Sequence, residues 1–141
     1  MSESIHLHFD VSGEDFTRAG EASADIKRRL KQLGVSSTVL RRVAVASYEV
    51  ELNLVIHSDG GDLTLTVDGE GVHLRSKDVG PGIPDVEQAM REGYSTANEE
   101  ARSMGFGAGM GLPNMKRNAD VFAIESEVGV GTTIDMTFRL A

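Results

Sequence analysis

The sequence predicts an α+β two-layer sandwich, with helices on one face of a mixed, mostly antiparallel sheet. Three observations carry this expectation. Segments of alternating polarity stand in neighbouring pairs joined by glycine-bearing turns, as hairpins do. Two segments near the N-terminus place apolar residues at steps of three or four, as helices packed against a sheet do. The order that results is strand, helix, helix, two strands, short helix, loop, helix, two strands. It lacks the strict strand–helix alternation of a parallel sheet.

His6–Val11 (HLHFDV) alternates and forms the first strand. Ser12 stands three residues before Asp15, a capping-box-like start to a helix. Phe16, Ala19, Ala22, Ile26, Leu30 and Leu33 make the stripe of that helix, and Gly34 is its stop signal. A second helix starts at Ser36 or Ser37 and runs to about His57, with Leu40, Val43, Ser47, Val50 and Leu54 facing the core. Leu63–Val67 and Val72–Asp78 are strands joined by the tight turn Asp68-Gly69-Glu70-Gly71. Asp85–Glu92 reads as a short helix. Gly93–Gly109 has little apolar periodicity and reads as a loop. A helix covers Met110–Asp120, and the strands Val121–Glu127 and Thr132–Leu140 are linked by Val128-Gly129-Val130-Gly131. No repeat or low-complexity tract interrupts this order, so residues 1–141 read as one domain.

Composition excludes several classes. Cysteine is absent, which rules out disulfides and thiolate metal sites. No secretory pattern and no long apolar run is found, which makes the cytoplasm the expected compartment and a membrane an unexpected partner. A net charge of −8 argues against a binder of nucleic-acid backbones, whose affinity comes from Lys and Arg. A single nucleotide is not excluded, since backbone N–H groups and a divalent cation can hold phosphates in an acidic protein.

Four features in a fixed order carry the chemistry. Glu49 and Asn53, four apart on the second helix, share a face, and His57 extends it by a turn. Asp78-Val79-Gly80-Pro81-Gly82-Ile83 ends a strand with an acid and two glycines. Gly105, Gly107, Gly109 and Gly111 alternate just before a helix. Gly129-Val130-Gly131-Thr132 opens the last strand. Singly, each has a plain structural reading as a solvated helix pair, a turn or a hairpin loop. Alternating glycines that feed a helix N-terminus are harder to explain that way, because they direct several N–H groups at an anion. Met110 breaks the Gly-x-Gly-x-x-Gly pattern, and no Gly-Lys-Ser/Thr occurs, so neither a Rossmann nor a Walker A loop fits.

Together these segments resemble the N, G1, G2 and G3 boxes of the GHKL superfamily, which comprises gyrase-type topoisomerases, heat-shock chaperones, histidine kinases and mismatch-repair ATPases. The small size, the GYST segment at Gly93–Thr96 and the stretch GAGMGLPNMKR narrow the resemblance to bacterial anti-sigma-factor serine/threonine kinases, in particular the stressosome switch-kinase branch. The resemblance implies the Bergerat fold and ATP with Mg²⁺ as cofactors. Asp78 would accept from the adenine amino group, Gly82 would let the base approach the backbone, and Gly80 and Ile83 of the same turn would also bind the nucleotide. Asn53 would coordinate Mg²⁺, and Glu49 would act as base or orienting group for the attacking hydroxyl. Gly105, Gly107, Ala108, Gly109, Met110, Gly111 and Leu112 would serve the phosphates, and Thr132 would reach the adenine end. Gly93–Gly109 would be the ATP lid.

The implied activity is transfer of the γ-phosphate to a small partner, typically an anti-sigma antagonist with a STAS domain. A sigma factor as a further partner, and a homodimer, stay open. Two other readings are a nucleotide-gated binding switch without transfer and the ATPase half of a split histidine kinase. His6 and His8 fall on a strand, the wrong setting for a phospho-acceptor, and offer no third metal ligand nearby.

Overall fold

The computed structural model describes residues 5–12, 18–58, 60–80, 82, 83, 86, 90 and 111–140. Five strands form one sheet: β1 (Ile5–Ser12), β2 (Gly60–Val67), β3 (Gly71–Asp78), β4 (Val121–Glu127) and β5 (Gly131–Arg139). Their order is β1-β2-β3-β5-β4, and all four pairings are antiparallel. Three helices, α1 (Glu21–Gln32), α2 (Ser37–His57) and α3 (Gly111–Asn118), complete the described fold. This is the α+β architecture the sequence predicts. Among the described residues, no helix is long and apolar enough to cross a membrane.

Strand alternation sets the core. Leu63 and Leu65 of β2, Val72 and Leu74 of β3, and Ile134, Met136 and Phe138 of β5 are buried on the inner face. Helix α2 meets them with Val43, Ala46, Val50 and Leu54, and α1 and α3 add Ile26, Leu30, Leu112 and Met115. On the opposite face, Arg75 pairs with Asp135 at 3.3 Å in the solvated middle of the sheet.

The helix punctuation is local chemistry. Ser36 accepts from the Val39 N–H at 3.4 Å and opens α2. At the end of α1, Gly34 takes φ +81, its N–H meets the Lys31 carbonyl at 3.1 Å, and the Val35 N–H meets the Leu30 carbonyl at 3.2 Å. This is a Schellman closure. It carries the chain away at Leu33, which is 45% exposed and does not belong to the buried stripe.

The start of α1 differs from the expectation. Ser12 closes β1 opposite Gly60, and residues 13–17, which it is expected to cap, lie outside the described residues. Gly20 adopts φ +99, so no continuous helix passes from Ala19 to Ala22, and α1 begins at Glu21. Phe16 lies outside the described residues. The first N–H groups of α1 are satisfied from another helix. Glu51 of α2, only 2% exposed, accepts from Ala22 N–H at 3.0 Å and Ser23 N–H at 2.9 Å. A buried carboxylate at a helix N-terminus answers both the orphan donors and the dipole. Glu51→Ala is therefore expected to lower stability by about 1–3 kcal/mol, the cost of stranding buried donors. Urea unfolding of the variant against the wild type checks this.

Strand β2 starts three residues before its expected beginning. Gly60, Gly61 and Asp62 pair with Ser12, Val11 and Asp10, but two glycines show no hydropathy alternation to read. The other expected strand and helix ends agree within about two residues, the usual scatter of element boundaries. Of the expected short helix over 85–92, Val86 and Met90 are described, and the Met90 N–H donates to the Val86 carbonyl at 3.0 Å, one helical turn.

Candidate nucleotide-binding site

The candidate residues assemble in two clusters. The first lies where α2 faces the start of α3. Glu49 and Asn53, both half-buried, project one turn apart toward Gly111. A Cβ at Gly111 would lie 3.3 Å from Asn53 Oδ1 and 3.6 Å from Glu49 Oε2. Glycine thus keeps open a cradle floored by two oxygens at the N-terminus of a helix. Oxygen ligands suit a hard cation such as Mg²⁺, and the helix end suits the phosphates it would accompany. The residues present therefore fit the pair of groups that the sequence motifs imply. Leu112 is buried in the core at 7% exposure, so only its backbone can serve a nucleotide.

The second cluster joins the ends of β3 and β4 to the start of β5. Asp78 Oδ1 accepts from the Thr132 N–H at 2.8 Å. Gly131, at φ +154, lets the two strands close, since a Cβ there would sit 2.2 Å from the Asp78 carbonyl oxygen. The Gly80 N–H donates to the Val130 carbonyl at 3.2 Å, tying the turn after β3 to the β4–β5 turn. The Ile83 N–H donates to Ser126 Oγ at 2.7 Å, and Ser126 Oγ lies 2.8 Å from Thr132 Oγ1. Gly82, at φ +73, packs so closely on Glu127 that a Cβ would meet its carbonyl oxygen at 2.4 Å. Strand packing alone thus requires glycine at position 82, quite apart from any approach of a base. Asp78 and Thr132 are held as one unit in a network of short polar bonds.

Gly105, Gly107, Ala108, Gly109 and Met110, and with them the lid expected over 93–109, lie outside the described residues. The side chain of His57 does too.

Two members of these clusters escape the motif reading. Asn114 donates from Nδ2 to Glu49 Oε2 at 3.3 Å. Its place one turn after Gly111 on the same helix is a signal that spacing could have supplied. Ser126 has no such signal, because its partners Ile83 and Thr132 meet it only through the β4–β5 register.

His6 and His8 separate on the outer face of β1. His6 Nδ1 lies 3.2 Å from Thr66 Oγ1. His8 Nε2 lies 2.8 Å from Asp62 Oδ1 and 3.9 Å from Asp10 Oδ1. The expectation of no third ligand near these histidines fails. Asp10 follows His8 by two residues on the same strand face, and the β1–β2 register adds Asp62, so His8, Asp10 and Asp62 bring their ligand atoms within 4.8 Å of one another. The hydrogen bond from His8 holds the Asp62 carboxyl below its ordinary value.

A family model described as histidine kinase-, DNA gyrase B-, and HSP90-like ATPase matches residues 38–141. That span runs from the first turn of α2 to the C-terminus and takes in both clusters. Among curated proteins, the chain is 32% identical over 108 residues to a serine/threonine-protein kinase, RsbT of Bacillus subtilis (strain 168), covering 74% of this chain and 75% of that protein. It is 29% identical over 140 residues to an anti-sigma F factor of Geobacillus stearothermophilus, covering 95% of this chain and 90% of the relative. An anti-sigma F factor of Bacillus licheniformis is 31% identical over 149 aligned residues, covering 100% of this chain and 95% of the relative. By its fold, its two clusters and these matches, the chain belongs to the histidine kinase-, DNA gyrase B- and HSP90-like ATPase family.

Proposed function

We propose that the chain is a protein serine/threonine kinase of the anti-sigma-factor type, which moves the γ-phosphate of ATP to a small STAS-domain partner. The observation that carries this reading is the meeting of Glu49 and Asn53 at Gly111, a candidate base and a candidate metal ligand facing one helix N-terminus. Family membership supports ATP, and relatives named as a serine/threonine-protein kinase and as anti-sigma F factors support the acceptor class.

In this reading Asp78 and Thr132 bind the adenine end, Asp78 as acceptor for the amino group. Asn53 Oδ1 takes a place on Mg²⁺, and the backbone from Gly105 to Leu112 receives the phosphates. Held there, Mg²⁺ would supply positive charge to the phosphate oxygens. Glu49 orients the acceptor hydroxyl and takes its proton. The hydroxyl oxygen bonds to the γ-phosphorus, the bond from that phosphorus to the bridging oxygen breaks, and ADP departs with the electron pair. Residues 93–109 act as the lid that excludes water. The whole of 1–141 serves as one such domain, in the cytoplasm.

The test is incubation with γ-labelled ATP, Mg²⁺ and a STAS-domain protein, such as one found encoded beside this chain. Label on a serine or threonine of that protein is expected. Nucleotide binding without label in any such candidate would instead mark a nucleotide-gated binding switch.

A further inference from the structure

We infer that Asn114, itself held by Arg117, positions the Glu49 carboxylate. This rests on the kinase reading and adds two residues to its machinery. Arg117 stands one turn after Asn114 on α3, and its Nη1 donates to Asn114 Oδ1 at 2.9 Å. An amide whose oxygen faces a guanidinium must turn its NH₂ group the other way. There it meets Glu49 Oε2, at 3.3 Å. Donor and acceptor roles agree at both links, so the chain runs from guanidinium to amide to carboxylate without ambiguity in the direction of the amide.

The helix pairing explains why the three residues meet. Helix α3 runs antiparallel to α2, with Gly111 against Asn53, Asn114 against Glu49 and Asn118 against Arg42. Arg42 pins the far end of this seam, through Nε to the Asn118 carbonyl at 2.8 Å and through a contact with Asp120 at 3.1 Å. Bonds from the Arg139 N–H and then from Arg42 hold the Asp120 carboxyl below its ordinary value, so this anchor stays ionised. Asn114 is thereby fixed level with the base by the helix that also opens at the phosphate cradle.

A glutamate has three side-chain torsions before its carboxylate, and one directed donor removes much of that freedom. The single bond from Asn114 to Oε2 leaves Oε1 and the second lone pair of Oε2 to take the hydroxyl proton. Asn114 and Arg117 act through Glu49 and touch neither reacting atom.

Two measurements test this. In the nucleotide-free protein, the Asn114 side-chain amide signals in a nitrogen–proton NMR spectrum should move on Glu49→Ala and on Arg117→Ala. Signals indifferent to both changes would overturn the contact. In the transfer assay with the STAS-domain acceptor, Asn114→Ala should lower kcat about tenfold, as for loss of a hydrogen bond to a charged group, with KM for ATP unchanged. Asn114→Asp keeps an oxygen for Arg117 and sets a second carboxylate oxygen against Glu49. It should move the acid limb of the pH–rate profile to higher pH, which a merely structural role would not do. If the wild type labels its acceptor and the Asn114→Asp profile is unshifted, the positioning role fails alone. A wild type that labels no acceptor defeats the kinase reading and this role with it.

Discussion

Glu49→Gln is expected to lower phosphoryl transfer by about 10²–10⁴-fold, the usual worth of a positioned general base. ATP affinity should stay near that of the wild type. The substitution preserves the shape of the side chain, and the amide oxygen of glutamine can still accept from Asn114, which now donates to Glu49 Oε2. Asn53, the candidate metal ligand, lies one turn away and is untouched. What is lost is the capacity to take a proton. Single-turnover transfer from labelled ATP, beside calorimetric titration of the same variant, separates the two effects. Loss of both binding and transfer would make Glu49 a structural part of the pocket. Retention of full transfer would remove it from the chemistry.

Asp78→Asn should weaken ATP binding by about ten- to hundred-fold, since a hydrogen bond to a charged group is worth about 1.5–3 kcal/mol. The carboxylate has two tasks in this account. Oδ1 holds the Thr132 N–H at 2.8 Å and so joins β3 to β5. The other task is to accept from the adenine amino group. Asparagine can keep the first bond through its carbonyl oxygen, which leaves its NH₂ facing another donor. The strand junction should therefore survive while the base is rejected. Calorimetry with ATP, with thermal unfolding as the control for folding, checks both halves. Unchanged affinity would move adenine recognition away from Asp78.

The parts of the fold that were legible in the sequence are those written by adjacent residues. Ser36 before an apolar stripe, Gly34 after one, and the Asp68–Gly71 turn each act through their own neighbours, and each appears where it was read. In that turn Asp68 accepts from the Glu70 and Gly71 N–H groups at 2.9 and 3.1 Å, which hold its carboxyl below the ordinary value. Long-range partners were not legible. Glu51 looks like one more charge on α2, and only the packing of α1 across it turns it into a cap. The stripe through Ala19 and Ala22 gave no warning that Gly20 breaks it, since glycine neither adds to nor subtracts from an apolar period.

The site divides the same way. Glu49 and Asn53 announce themselves by spacing, and Asp78 and Thr132 by their glycines. The sequence reading takes Gly82 as an opening for the base, whereas its contact with Glu127 gives it a second, purely architectural reason to be glycine. Asn114 carries a spacing signal one turn after Gly111, but asparagine on a short helix ordinarily reads as a solvated residue.

One titration tests the central claim, that a single Mg²⁺–ATP spans the Asp78 and Asn53 clusters. The wild-type chain is titrated calorimetrically with ATP in Mg²⁺, ATP in EDTA and GTP in Mg²⁺, and Asn53→Ala with ATP in Mg²⁺. Binding of ATP in Mg²⁺ is expected, with weaker binding in EDTA and little of GTP, whose base places a carbonyl where adenine has its amino group. Asn53→Ala in Mg²⁺ should behave as the wild type does in EDTA. Equal affinity for ATP and GTP, or an Asn53→Ala chain as responsive to Mg²⁺ as the wild type, would contradict that claim.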